Sequence, residues 1–417
     1  MPSNRGENKL WAAVKPNAWP SAPAEMSVSS LGEIEACPRR WALASADYPE
    51  IWDRRGYPPR IFIASLTGSV VHLAIETVTK ALVRGGCASV EDARAVDVMR
   101  ALGGFTKIVN DCIERVLSRF AENPRATPLL EYALRSLRAE SAKMRTDAQS
   151  LLRRVRLHAG TASTARDKAD FKDHPRATLG PGTYSEVELR APRIGWRGAA
   201  DLLTLSAANC EIVDFKTGAH DEGHRFQVRV YALLWSRDSE LNPVARAADR
   251  LTLSYRTGEV KVDAPTSAQL DALERELVSR RQAAMKSLSA DPPPARPSAD
   301  NCRYCAVRHM CEEYWEQVAV AAQAAASSDN PPFVDLQIVI ADRHGPSSWD
   351  GVVEQSGRTV VLRTGSDVVF RRGDRIRVLN ARLTTAEHDE TQPMVVTLSM
   401  MSEVFVLPRG APASLRK

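Results

Sequence analysis

The sequence predicts a mixed α/β domain followed by a small all-β barrel, on three observations. Apolar residues recur at helical spacing from Ser27 to about Leu157, the period changes to two from Thr183, and a second set of short alternating segments begins at Phe333. Residues 1–26, rich in Pro, Ala and Asn, are expected to form a flexible tail. A helix then opens at "SSLGEIEAC", capped by Ser29 or Ser30, with Pro38 at a helix boundary. Another is carried by "GSVVHLAIETVTKALV", and helical text continues with an interruption at "AENPRATP", giving a helical part at 27–175.

In "TYSEVELRA", Val187 and Leu189 fall on one face of a strand and Glu186 and Glu188 on the other. "GWRGAADLLTLSA" and "CEIVDFKTG" read as two more strands around a turn at Ala207–Asn209. "HRFQVRVYALLW" reads as a helix and "RLTLSYRTGEVKV" as a hairpin, completing a core at 180–262. The helix "SAQLDALERELVSRRQAAM" and a Cys-rich knot occupy 265–320, closing a domain at 27–320, and 321–332 is a linker. From 333 to 410 the strands, with a tight turn at Gly373-Asp374, read as an OB-like barrel. An SH3-like barrel or a small sandwich fits the same pattern.

The chain has 417 residues, 44% hydrophobic and 26% charged, which suits two or three globular domains. No apolar run approaches the roughly 18 residues of a membrane span, and the first residues lack the apolar segment of a signal peptide. The expected location is therefore cytoplasmic, with no membrane partner. There the seven Cys are thiols or metal ligands rather than disulfides. A net charge of +5 permits a polyanionic partner without demanding one.

The chemistry concentrates in "GWRGAADLLTLSAANCEIVDFKTG". Asp214 and Lys216, two apart on a strand, project from one face, and a short hairpin brings Asp201 alongside. Two converging carboxylates make a hard oxygen site for Mg²⁺ or Mn²⁺. Such a metal polarises a phosphate and acidifies a bound water, and a neighbouring ammonium steadies the developing negative charge. An exposed ion pair is the bland alternative for "DFK" alone. His220 and His224 also lie near Lys216 in sequence and read as loop histidines.

These residues resemble the PD-(D/E)XK nucleases, with Ala200-Asp201 in place of Pro-Asp. "GSVVHLAIE" resembles the glycine–histidine helix of the RecB-type branch, and "QVRVY" its Gln-x-x-x-Tyr motif. The resemblance implies a restriction-endonuclease-like mixed sheet with flanking helices. It implies a metal site of His72, Asp201, Asp214 and the Phe215 backbone carbonyl, with Lys216 catalytic. Glu188 takes a supporting role near the metal, and Gln227 and Tyr231 help hold DNA and the lysine.

"NCRYCAVRHMC" supplies Cys302, Cys305 and Cys311, one ligand short of a tetrahedral or cuboidal site. Cys37, in "SLGEIEACPRRW", resembles the first cysteine of the iron–sulfur RecB-type nucleases, which include the AddB nuclease domain and CRISPR-associated exonucleases. The resemblance implies a structural [4Fe–4S] staple across Cys37, Cys302, Cys305 and Cys311. Zinc fits the same four thiolates by spacing. Cys87, Cys112 and Cys210 read as ordinary buried thiols.

No G-x-x-x-x-G-K-[ST] is present, so no ATP motor is read here. The expected activity is a metal-dependent deoxyribonuclease, exonuclease rather than endonuclease, acting on single-stranded DNA or DNA ends. A helicase or other protein is a candidate partner. The alternative is a non-catalytic DNA-binding or scaffold subunit of a DNA-processing complex. Arg371, Arg372, Arg375 and Arg377 in "FRRGDRIRV" are candidate phosphate contacts, with domain packing the competing role.

Overall fold

The computed structural model describes residues 10–158, 176–319, 333–365, 368–384 and 392–408. The linker expected at 321–332 lies outside them. The first part is helical: α1 Val28–Ala36, α2 Pro38–Ser45, α3 Ile63–Arg84, α4 Ala95–Ala101, α5 Gly104–Ser118, α6 Leu130–Ala139 and α7 Ser141–Leu152. Ser27, not Ser29 or Ser30, caps α1. Its hydroxyl accepts from the Ser30 N–H, while the Ser30 hydroxyl accepts from the Ser27 N–H. Pro38 opens α2, where its missing N–H has no partner to lose.

A mixed sheet follows, built from β2 Gly182–Ala191, β3 Trp196–Leu205, β4 Cys210–Lys216, β5 Arg250–Tyr255 and β6 Gly258–Val262, hydrogen-bonded in that order. Only β4 and β5 run parallel, and the crossover between them carries α8, Glu222–Arg237. The sheet is covered on both sides. Leu202, Val213 and Phe215 join the core of α3, α5 and α7. Leu203, Leu205 and Ile212 join the core of α8, α1 and α9, Ser267–Leu288. Helix α3 is long and apolar enough on average to cross a membrane, but its apolar stripe from Val70 to Leu82 is buried in this core.

The Cys-rich segment starts with α10, Ala299–Arg303, and leads to the barrel. Here β7 Phe333–Gly345, β8 Ser348–Val353, β9 Thr359–Arg363, β10 Arg375–Leu383 and β11 Met394–Thr397 pair in the order β7-β8-β9-β11-β10, and β10 closes on β7. The β9–β11 pair is parallel. Outside the ring, β12 Glu403–Val406 pairs with β10 and with β1, Leu10–Ala12. The expected tail at 1–26 is therefore ordered in part. Trp11 sits opposite Phe405, a pairing whose partner lies too far along the chain for local periodicity to reveal.

Buried charge holds this closed sheet against the helical part. Arg125 gives Glu403 two hydrogen bonds, at 2.6 and 3.0 Å, and Arg60 lies 3.0 Å from the same carboxylate. Arg308 pairs with Asp335 at 2.6 Å. Arg377 is buried and donates to Gln337, to the His309 carbonyl and to Glu312, so its role is domain packing rather than phosphate contact. Arg371, Arg372 and Arg375 are all exposed, and Arg375 pairs with Glu354 at 2.6 Å. His309 is wholly buried and stacks on Phe405. Burial and the surrounding arginines, Arg125 foremost, push its pKa well down and keep it neutral.

Candidate active site

Two strand ladders break at the same place. Between β2 and β3 the pairs Ser185↔Leu202 and Val187↔Ala200 form, but the intervening Glu186 and Asp201 do not pair. Between β3 and β4 the ladder ends at Leu202↔Val213, one step before Asp201 and Asp214 would face each other. Asp201 thus lies between Glu186 on one strand and Asp214 on the other. Glu186 has a left-handed backbone, φ 54°, which ends the simple in-and-out alternation of its strand.

Helix α3 supplies the fourth group: His72 Nδ1 lies 3.6 Å from Asp201 Oδ1. The helix approaches closely because Gly68 sits one turn earlier. A Cβ there would come 3.0 Å from Thr217 Oγ1, immediately after Lys216. Among the described residues, His72, Glu186 and Asp201 form one set whose ligand atoms all lie within 4.8 Å of one another. The Asp201 carboxylate also accepts from the Phe215 N–H at 2.6 Å.

Asp214 is 2% exposed, and Lys216 Nζ stands 2.7 Å from its Oδ2. The contact pairs a buried carboxylate with the ammonium that faces it. Nζ also donates to Gln227 Oε1 at 2.7 Å, and Gln227 Nε2 donates to the Tyr231 hydroxyl at 2.6 Å. Tyr231 in turn lies against β3 because position 198 is glycine: a Cβ would come 2.8 Å from its ring. The face of α8 that carries Gln227 and Tyr231 therefore fixes the lysine from behind.

The electrostatics follow from this crowding. Burial, with the Asp201 charge beside it, pushes the Asp214 carboxyl up to about 7, against the pull of Lys216 and His72. Burial opposes charge on His72, but the adjacent Asp201 outweighs it, and the imidazole pKa ends above its ordinary value. Three carboxylates thus gather around one imidazole and one ammonium. That donor set fits a hard divalent cation.

Of the residues singled out in the sequence, His72, Asp201, Asp214, Lys216, Gln227 and Tyr231 converge here. Glu188 does not: its carboxylate pairs with Arg190 at 3.0 Å, away from the set. Glu186 takes the place nearest Asp201. The two glutamates look equivalent by alternation, and only the register across to Asp201 separates them. His220 stacks on Tyr255 at 3.8 Å, and His224 Nδ1 lies 2.9 Å from the Tyr255 hydroxyl. Tyr255 is the strand neighbour of Lys216, so both histidines flank the site without entering the acidic set.

Cys37, Cys302, Cys305 and Cys311 are free thiols that line one small cavity together with Arg39 and Arg40. The Arg296 N–H points at Cys37 Sγ from 3.5 Å. No three of these sulfurs lie within 4.8 Å of one another. A single tetrahedral zinc, with Zn–S near 2.3 Å, would draw all four within about 4 Å. Burial holds Cys305 up at about 11 and Cys311 up at about 12. Cys87, Cys112 and Cys210 are buried elsewhere, in the hydrophobic cores.

No curated protein matches the sequence. Among solved structures, that of SSO0001 is 17% identical, covering 48% of this chain and 81% of its own, with a TM-score of 0.22. The p204 HINb domain is 10% identical, covering 56% of this chain and 100% of its own, with a TM-score of 0.16. Both superpositions are too weak to bear on the fold. The family model described as the PD-(D/E)XK nuclease superfamily matches residues 25–312, the stretch that contains every residue of the acidic site and all four cysteines. The chain belongs to the PD-(D/E)XK nuclease superfamily.

Proposed function

We propose that the chain is a divalent-metal-dependent deoxyribonuclease, acting as an exonuclease on single-stranded DNA or DNA ends. The observation that carries this reading is the convergence of Asp201, Asp214, Glu186 and His72 at one break in the sheet, with Lys216 2.7 Å from Asp214. His72, Asp201, Asp214 and the Phe215 carbonyl would hold Mg²⁺ or Mn²⁺, with Glu186 as the supporting carboxylate. When bound, the metal polarises the scissile phosphate and acidifies a water. Lys216, its ammonium held by Gln227, stabilises the negative charge that develops on the phosphate oxygens. Tyr231 anchors Gln227 and so limits the positions Nζ can take.

The four thiols suit a [4Fe–4S] cluster. They line one cavity, and the resemblance to iron–sulfur RecB-type nucleases favours the cluster over zinc. The cluster would tie α2 to the segment after α9, adding roughly several kcal/mol by closing so long a loop. Residues 27–320 then form the nuclease unit and 333–410 an OB-like barrel. Support for the latter is the closed five-strand order with one parallel pair. A reducing, cytoplasmic setting, with a helicase as working partner, fits a nuclease with free thiols and no motor motif.

End-labelled single- and double-stranded DNA incubated with Mn²⁺ or Mg²⁺ tests the reading. It predicts shortening from an end, preferentially of the single strand, abolished by EDTA and by Asp201→Asn. Metal-independent products, or equal activity in Asp201→Asn, would overturn it.

A further inference from the structure

Exposed aromatic side chains are rare in this molecule. In the barrel, Trp349, Phe370 and Phe405 are buried, leaving Phe333. The other exposed ring among the described residues is Tyr304, 63% exposed, on the loop between Cys302 and Cys305. It is not alone. The Arg303 guanidinium sits 5.2 Å from its ring centre, and the half-buried Phe62 meets it edge to face at 6.3 Å. Phe62 occupies the position just before the first turn of α3. His72 follows ten positions later on that helix, about 15 Å along its axis at 1.5 Å per residue. On the way, Ser65 and Ser69 place only small side chains on the face that Phe62 and His72 share.

We propose that Tyr304 and Phe62, with Arg303, form a base-stacking platform for single-stranded DNA whose backbone continues along α3 to the His72–Asp201–Asp214 site. The proposal rests on the nuclease reading for the direction of the strand, but stacking itself needs no catalysis. An aromatic face accepts any unpaired base, and a flanking guanidinium adds charge complementary to phosphate. Bases inside a duplex offer no such face, so the platform selects single strands and frayed ends. Cys302 and Cys305 on either side of it are buried and line the thiol cavity, which anchors the loop at both ends.

The test is fluorescence anisotropy of a labelled oligothymidylate with the full-length protein in EDTA, which prevents cutting. Tyr304→Ala is expected to weaken binding about 5- to 150-fold, the range for losing one stacked base. Tyr304→Trp is expected to keep it, and a blunt hairpin duplex to bind both variants alike. A 2-aminopurine in the strand should be quenched by the parent and not by Tyr304→Ala. Unchanged affinity in Tyr304→Ala, equal losses in Tyr304→Ala and Tyr304→Trp, or no binding by the parent would each overturn the platform. A protein that never cuts DNA yet loses affinity in Tyr304→Ala would overturn the nuclease reading alone. One that cuts normally and binds equally well without the ring would overturn the platform alone.

Discussion

Asp214→Asn isolates the electrostatic cost of the acidic site. In the metal-free protein the Asp214 carboxyl is pushed from its ordinary value near 4 up to about 7, mainly by burial and then by Asp201. A carboxyl whose folded pKa is raised favours folding in its protonated form. Its native-state penalty is absent below the unfolded pKa and grows as pH rises toward the folded one. A tenfold change in proton affinity corresponds to about 1.4 kcal/mol, so the penalty approaches about 4 kcal/mol at pH 8. Loss of the Lys216 contact in the variant offsets part of this. The measurable quantity is the stability difference between parent and Asp214→Asn, followed by denaturant unfolding in EDTA from about pH 5 to pH 8. The parent should lose about 2–3 kcal/mol relative to the variant over that range. Mn²⁺ should then stabilise the parent, by about 2.7 kcal/mol at a hundredfold excess over its dissociation constant, and leave the variant unmoved. A pH-independent difference, or equal stabilisation of both proteins by Mn²⁺, would refute the account of the site.

Three further outcomes follow from the geometry. Glu186→Gln should weaken Mn²⁺ binding measured by calorimetry about 10- to 100-fold, whereas Glu188→Gln, which loses only its pairing with Arg190, should leave it unchanged. Protein purified without oxygen should be brown and contain iron and sulfide, and Cys37→Ser should lose both colour and thermal stability; colourless protein with stoichiometric zinc would contradict the cluster. Arg125→Met should destabilise the docked barrel by about 1–3 kcal/mol in unfolding experiments, because it removes two hydrogen bonds to a nearly buried Glu403 that keeps Arg60 as a partner.

Much of this was legible in the chain because it is local. The strand carrying Asp214 and Lys216 announces itself by apolar flanks, and Gln227 and Tyr231 sit four apart on one helix face. The close approaches at Gly68 and Gly198, to Thr217 and Tyr231, are seen only in the structure. What was not legible depends on register and on distant pairing. Glu186 and Glu188 are indistinguishable by period, and only the ladder position opposite Asp201, with the left-handed backbone at Glu186, separates them. The strand at Leu10–Ala12 exists only because Val404–Val406 offers it an edge. Arg377 reads as a surface cation in "RRGDRIRV", and its burial against His309 and Glu312 follows from how the barrel docks.

The central claim is that Lys216 and the carboxylates beside it perform phosphodiester hydrolysis. Single-turnover cleavage of end-labelled single-stranded DNA in saturating Mn²⁺, parent against Lys216→Ala, tests it most directly, with DNA affinity measured on the same preparations. The account predicts a rate loss on the order of a hundred- to a thousandfold, the scale for removing one charge-stabilising donor, with affinity nearly unchanged. Cleavage by Lys216→Ala at the parental rate would contradict it.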